Sequence, residues 1–278
     1  MLGNFLLGLR EGLEACLIVT ILIAYLVKTN RRHEIRFIWA GVAAAVGSVV
    51  AIFIVVQIVF NELSFKWQEG VGGTLSILAA IMVTWMIFWM RRTARYLKRE
   101  LEGQMESALT LGPVALATVA FVTVGREGLE TSAFIWSTIS TASGSGPFVG
   151  AILGIAVSVI LGFLIYRGAL TINLSKFFTY TGALLIVVAA GVLAYGLFDL
   201  QEAGFLPGIN SIAFDISSTI PKDSWYGTLL KGFFNFQPDP SWLQVFAWVG
   251  YIIPVLWLYL GRSPRTTPAK TPQQVTTP

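Results

Sequence analysis

The sequence predicts an all-α polytopic membrane protein with seven transmembrane helices: two inverted three-helix repeats plus one additional C-terminal helix. Three observations lead there. Of 278 residues, 55% are hydrophobic and 12% charged, with a mean hydropathy of +0.72, whereas soluble domains carry about 25% charged residues. Apolar stretches near twenty residues recur along the chain, the length that crosses a hydrocarbon core. The pentapeptide Arg-Glu-Gly-Leu-Glu also stands twice, at 10–14 and 126–130, with Phe5 and Phe121 at the same offset of 116 residues.

The expected spans are 2–27, 37–60, 71–90, 113–138, 148–166, 174–198 and 241–260, each a long apolar run. The first lacks a basic leader, and Arg10, Glu11 and Glu14 break its apolar run, so it reads as a permanent helix rather than a signal peptide. Residues 1–90 form the first three-helix unit and 113–198 the second. Between them, 91–112 is a cytoplasmic basic loop in which Glu100, Glu102 and Glu106 read as a solvated helix with Arg–Glu pairing in preference to an exit site. The segment 199–240 is too long for a simple connector and is expected to be an acidic external loop with short interfacial helices at 209–220 and 224–234. Span 241–260 is the additional helix, and 261–278, rich in Pro, Thr and Gln, reads as a disordered tail.

The net charge of +4 belongs to the loops and carries no nucleic-acid signal. Fourteen Lys and Arg follow spans one, three, five and seven, while Lys66, Lys222 and Lys231 stand on the other side. That bias puts the C-terminus in the cytoplasm and the N-terminus outside. Seven acids gather on the outer side, including Glu69, Glu202 and Asp215, which are candidates for gathering cations there. Cys16 is the one cysteine and His33, in a loop, the one histidine. An intramolecular disulfide, a Cys-rich metal site and a buried His-ligated site are thereby excluded.

Within each pentapeptide, Arg and the second Glu are four residues apart and the two Glu three apart, so the charges share one helix arc. Each repeat unit has three spans, an odd number, so the second unit enters the membrane from the opposite side and the two helices run antiparallel. A rise of about 1.5 Å per residue then puts Glu11, Glu14, Glu127 and Glu130 at one depth, about 12–18 Å from the outer surface. That is the middle of a core about 30 Å thick. A charge there costs roughly 2.5–3.5 kcal/mol unless it is paired or faces a wet cavity. Four carboxylates and two guanidiniums leave a formal charge of −2, and an all-oxygen set suits hard cations such as Mg²⁺, Ca²⁺, Mn²⁺ or ferric iron. One shared metal site at Glu11, Glu14, Glu127 and Glu130, oriented by Arg10 and Arg126, is expected. The bland reading is a structural network of Arg–Glu ladders.

The paired words, with LREGLEACLIV at 9–19, TWMIFWMR at 84–91, GREGLE at 125–130, EAG at 202–204 and FDIS at 214–217, resemble the high-affinity iron permease family, the oxidase-dependent iron transporters. The resemblance covers nearly the whole chain apart from the tail. It implies a multi-pass protein of the cytoplasmic membrane that imports iron, is not an enzyme and binds no permanent cofactor. It also implies iron-handling roles for Glu11, Glu14, Glu127 and Glu130, a family acid at Glu69, and an external ferroxidase or iron-delivery partner. Carboxylate hardness favours ferric over ferrous iron. The expected motion is a rocking of one three-helix unit against the other. Alternatives are a carrier for another hard divalent cation and a membrane di-iron carboxylate enzyme, whose usual Glu-x-x-His pairs are missing. Gly41, Ala45, Gly150 and Gly154 permit close helix packing, within one subunit or between subunits of an oligomer.

Overall fold

The computed structural model describes residues 2–93, 97–139, 146–167, 174–221, 224, 227, 230 and 236–261. Each of the seven expected stretches is helical. The helices are α1 (Leu2–Lys28), α2 (Ile35–Asn61), α3 (Phe65–Thr93), α4 (Leu97–Leu111), α5 (Pro113–Ile139), α6 (Gly146–Tyr166), α7 (Leu174–Glu202) and α8 (Trp242–Gly261). Among the described residues, five helices are long and apolar enough to cross a membrane: Arg32–Asn61, Phe65–Arg91, Gly146–Tyr166, Lys176–Glu202 and Trp242–Gly261. The helices α1 and α5 match them in length, at 27 residues each. What sets those two apart is the charged pentapeptide in each.

Packing crosses the two sequence units. The most extensive partner of α1 is α6 and that of α5 is α2, while α3 packs on α7. The α1–α6 seam is close because it is lined with glycine: a Cβ on Gly8 would stand 2.6 Å from the Ala151 carbonyl oxygen, and Gly154 lies against the α1 backbone at Phe5 and Leu9. Gly41 likewise lies against Ala117 of α5, so two of the small residues noted in the sequence serve packing within one chain.

Helices α1 and α5 run antiparallel. Leu6 and Leu7 share a cluster with Phe134, and Ile18, Leu22 and Leu26 share another with Leu116, Ala120 and Val124. The first cluster is completed mainly by α3 and α7, the second by α2 and α4. The charged words fall between these two apolar cores.

Two stretches depart from the sequence expectation. Residues 97–111 are a docked helix rather than a solvated one. Leu101, Met105 and Ala108, at spacings of four and three, are buried against α1 and α5. Residues 209–220 form no helix; they are turns with an isolated antiparallel bridge from Ile212 to Ser241. The backbone N–H of Ala213 donates to Pro240 O at 2.9 Å and that of Ile216 to Pro238 O at 3.0 Å. The Asp215 carboxylate accepts from Ser217 N–H at 2.8 Å, a local bond that competes with helix formation. Most of 224–234 and all of 262–278 lie outside the described residues.

Candidate metal site

The site grows from the i,i+4 geometry of each pentapeptide. Arg10 Nε donates to Glu14 Oε1 at 3.3 Å, and Arg126 Nε to Glu130 Oε1 at 2.9 Å. The first pair is sealed, with side chains 1% and 4% exposed; the second is open, at 42% and 19%. The Arg10 guanidinium lies 6.0 Å from the Phe178 ring centroid, while that of Arg126 stacks on Trp89 at 4.2 Å. The glycine of each word points away from the charges into a helix seam, Gly12 onto Ser158 of α6 and Gly128 onto Val49 of α2.

Antiparallel register brings Glu11, Glu14 and Glu127 together, one oxygen from each lying within 4.8 Å of the others, and all three are buried. Among the described residues they are the one group of three His, Cys, Asp or Glu so placed. Glu130 does not join this set; its Oε1 is held by Arg126. The carboxylates of Glu11 and Glu127 face each other. Ionised, neither offers a donor, and both Glu11 oxygens and Glu127 Oε2 have no hydrogen-bond partner, nor does Arg10 Nη1. Buried acceptors without donors are costly, and a hard cation between them removes the conflict. Three carboxylates supply up to six oxygens, enough for an octahedral or larger shell with water.

Among the described residues, the wide space beside the carboxylates lies on one side. A cavity of about 1010 Å³ reaches from Glu14, Glu127 and Arg126 past Trp89 to α4. On the other side, among Leu7, Met82, Val83, Met86, Glu130 and Phe134, about 10 Å³ is free, at or below the room one water needs.

The acids marked in the sequence as cation-gathering divide. Glu69, near the start of α3, and Glu202, at the end of α7, both act electrostatically on Asp199. Asp199 is buried at 2% exposure, with its Cβ close to Gly73 of α3. The sequence marked it only as one outer acid. Its three-residue spacing from Glu202, at the end of a long apolar helix, is the signal that singles it out. Asp215 is exposed in the turn that it caps.

The profile of the Iron permease FTR1 family matches residues 1–262. A protein named ferrous iron permease EfeU, from Escherichia coli O6:H1, is 39% identical over 259 residues, covering 92% of this chain and 94% of its own. Another of that name, from Yersinia pestis, is 36% identical over 270 residues, covering 96% and 95%. No solved structure matches significantly. The family and these relatives are named as permeases, which are transporters rather than enzymes. This chain belongs to the Iron permease FTR1 family.

Proposed function

We propose that the protein imports iron across the cytoplasmic membrane through the site formed by Glu11, Glu14 and Glu127, with α1 and α5 as two further spans beside the five apolar ones. The observation that carries this reading is the convergence of those three buried carboxylates beside a large one-sided cavity. Arg10 fixes Glu14, and Arg126 holds Glu130 at the edge of the site. The partner exchange of α1 with α6 and α5 with α2 supports an inverted repeat. Fourteen basic residues on the α4 side support a cytoplasmic location for that end, and hence an inward-facing state.

The names of the relatives move the choice of ion from ferric to ferrous. Donor hardness does not fix the oxidation state, because carboxylate sets hold hard divalent ions as well. Four carboxylates and two guanidiniums leave −2, the charge that a divalent ion neutralises.

In vesicles, Glu14→Gln abolishes uptake of labelled Fe²⁺ while the protein remains folded in the membrane. Uptake at the wild-type rate by Glu14→Gln and Glu127→Gln overturns the site. Transport of Mn²⁺ with Fe²⁺ as a weak competitor would assign the same carboxylates to another hard divalent ion.

A further inference from the structure

We propose that α4 lines the exit route for the cation and that Glu100 is a second, weaker cation ligand on it. The inference rests on the carboxylate site proposed above and adds a step after it.

Helix α4 carries two adjacent stripes. Leu101, Met105 and Ala108 form the apolar one and are buried on α1 and α5. Glu100, Gln104 and Ser107, with the same spacing of four and three, form the other and line the cavity. All three are exposed to it. The apolar stripe accounts for the docking of the helix, and nothing in that docking requires oxygen donors on the neighbouring stripe. Facing them across the cavity, α5 contributes Thr118, Thr123 and Arg126. At a rise of about 1.5 Å per residue, the stripe from Glu100 to Ser107 spans about 10 Å of wall.

A cation leaving three carboxylates passes from a tight, formally anionic site into a wide cavity. Departure straight into water loses all the carboxylate ligation in one step. A single exposed carboxylate, with the Gln104 amide oxygen one turn on, offers a partial shell of the same hard-oxygen chemistry. Such a site is weak enough to release the ion, as conduction through successive sites requires. Ser107 Oγ donates to Gly103 O at 3.1 Å, which leaves its lone pairs free to accept or coordinate. Arg126, paired with Glu130, stands at the inner end of the cavity beside Glu14 and Glu127.

Glu100 also lies in the first turn of α4, where a carboxylate stabilises a helix, so the test must separate release from folding. Purified protein is reconstituted in vesicles, and labelled Fe²⁺ is supplied under reducing conditions. Glu100→Gln is expected to bind Fe²⁺ within twofold of wild type, with maximal uptake slowed about tenfold, the scale of one lost contact to a charged group. KM falls along with the maximal rate, because slower release lowers both. Glu100→Asp restores the rate, and thermal unfolding of Glu100→Gln in detergent stays within a few degrees of wild type, whereas a purely helix-stabilising role lowers stability and rate together. In a Cys16→Ala background, Gln104→Cys labelled with a maleimide blocks uptake without abolishing binding. Wild-type rates for Glu100→Gln, or full uptake by the labelled Gln104→Cys protein, overturn the inference and leave the carboxylate site untouched. Loss of binding itself, as expected for Glu14→Gln, belongs to that site and also overturns a separate role for Glu100.

Discussion

The two copies of Arg-Glu-Gly-Leu-Glu share every residue and almost nothing of their surroundings. In α1 the word is enclosed by α5, α6 and α7, and its arginine, both glutamates and Leu13 are all buried. In α5 only Glu127 is fully enclosed; Arg126 opens to the cavity and Leu129 is 47% exposed. The local pairing is the same because it depends on helix geometry alone. What each pair contributes differs because burial decides whether a lost partner is replaced by water. The enclosed word keeps its charges from solvent, and the open one leaves its arginine exposed to the cavity.

That contrast can be broken by paired substitutions read as thermal unfolding in detergent. The largest difference is expected at the arginines. Arg10→Gln strips buried Glu14 of its counter-charge and costs about 3–5 kcal/mol, whereas Arg126→Gln costs about 1 kcal/mol or less. Equal losses would mean that the two environments are energetically alike. The leucines come next. Leu13→Ala, at a site 1% exposed, costs about 3 kcal/mol, and Leu129→Ala stays within about 0.5 kcal/mol. The smallest contrast is at the glycines. A Cβ on Gly12 would press on Ser158, with its Cβ 2.9 Å away and its hydroxyl closer still, and is expected to cost about 2 kcal/mol. On Gly128 it would meet the side chain of Val49 alone, nearest methyl at 2.9 Å, on the little-buried α2 that has room to give, and the loss stays below about 1 kcal/mol. A larger effect at Gly128 than at Gly12 would make the α2–α5 seam the stiffer one.

Much of this was legible before any coordinates. Long apolar runs gave seven helical stretches whose ends lie within a few residues of those observed. The i,i+4 spacing gave both Arg–Glu pairs, and antiparallel register the level shared by the carboxylates. The asymmetry was not legible, because identical words carry no record of what packs against them. Glu130 was therefore grouped with three carboxylates that it does not join. The docking of α4 was written in Leu101, Met105 and Ala108, but the many charges nearby masked that spacing. Over 209–220, backbone pairing with 238–242 outweighed local helix propensity, and such a contact has no local signature.

The glycine-lined contact between α1 and α6 has a mechanical consequence. A rocking of residues 1–90 against 113–198 would pull apart a seam in which one backbone rests directly on the other, together with the matching α2–α5 seam. The chain halves are therefore laced together, and the tightest pairs are hybrid: α1 is seated on α6, and α5 on α2. The two pairs meet where α1 faces α5. That interface is the level of the carboxylates, so any shift that opens one face of the protein also changes the distances among the glutamates themselves.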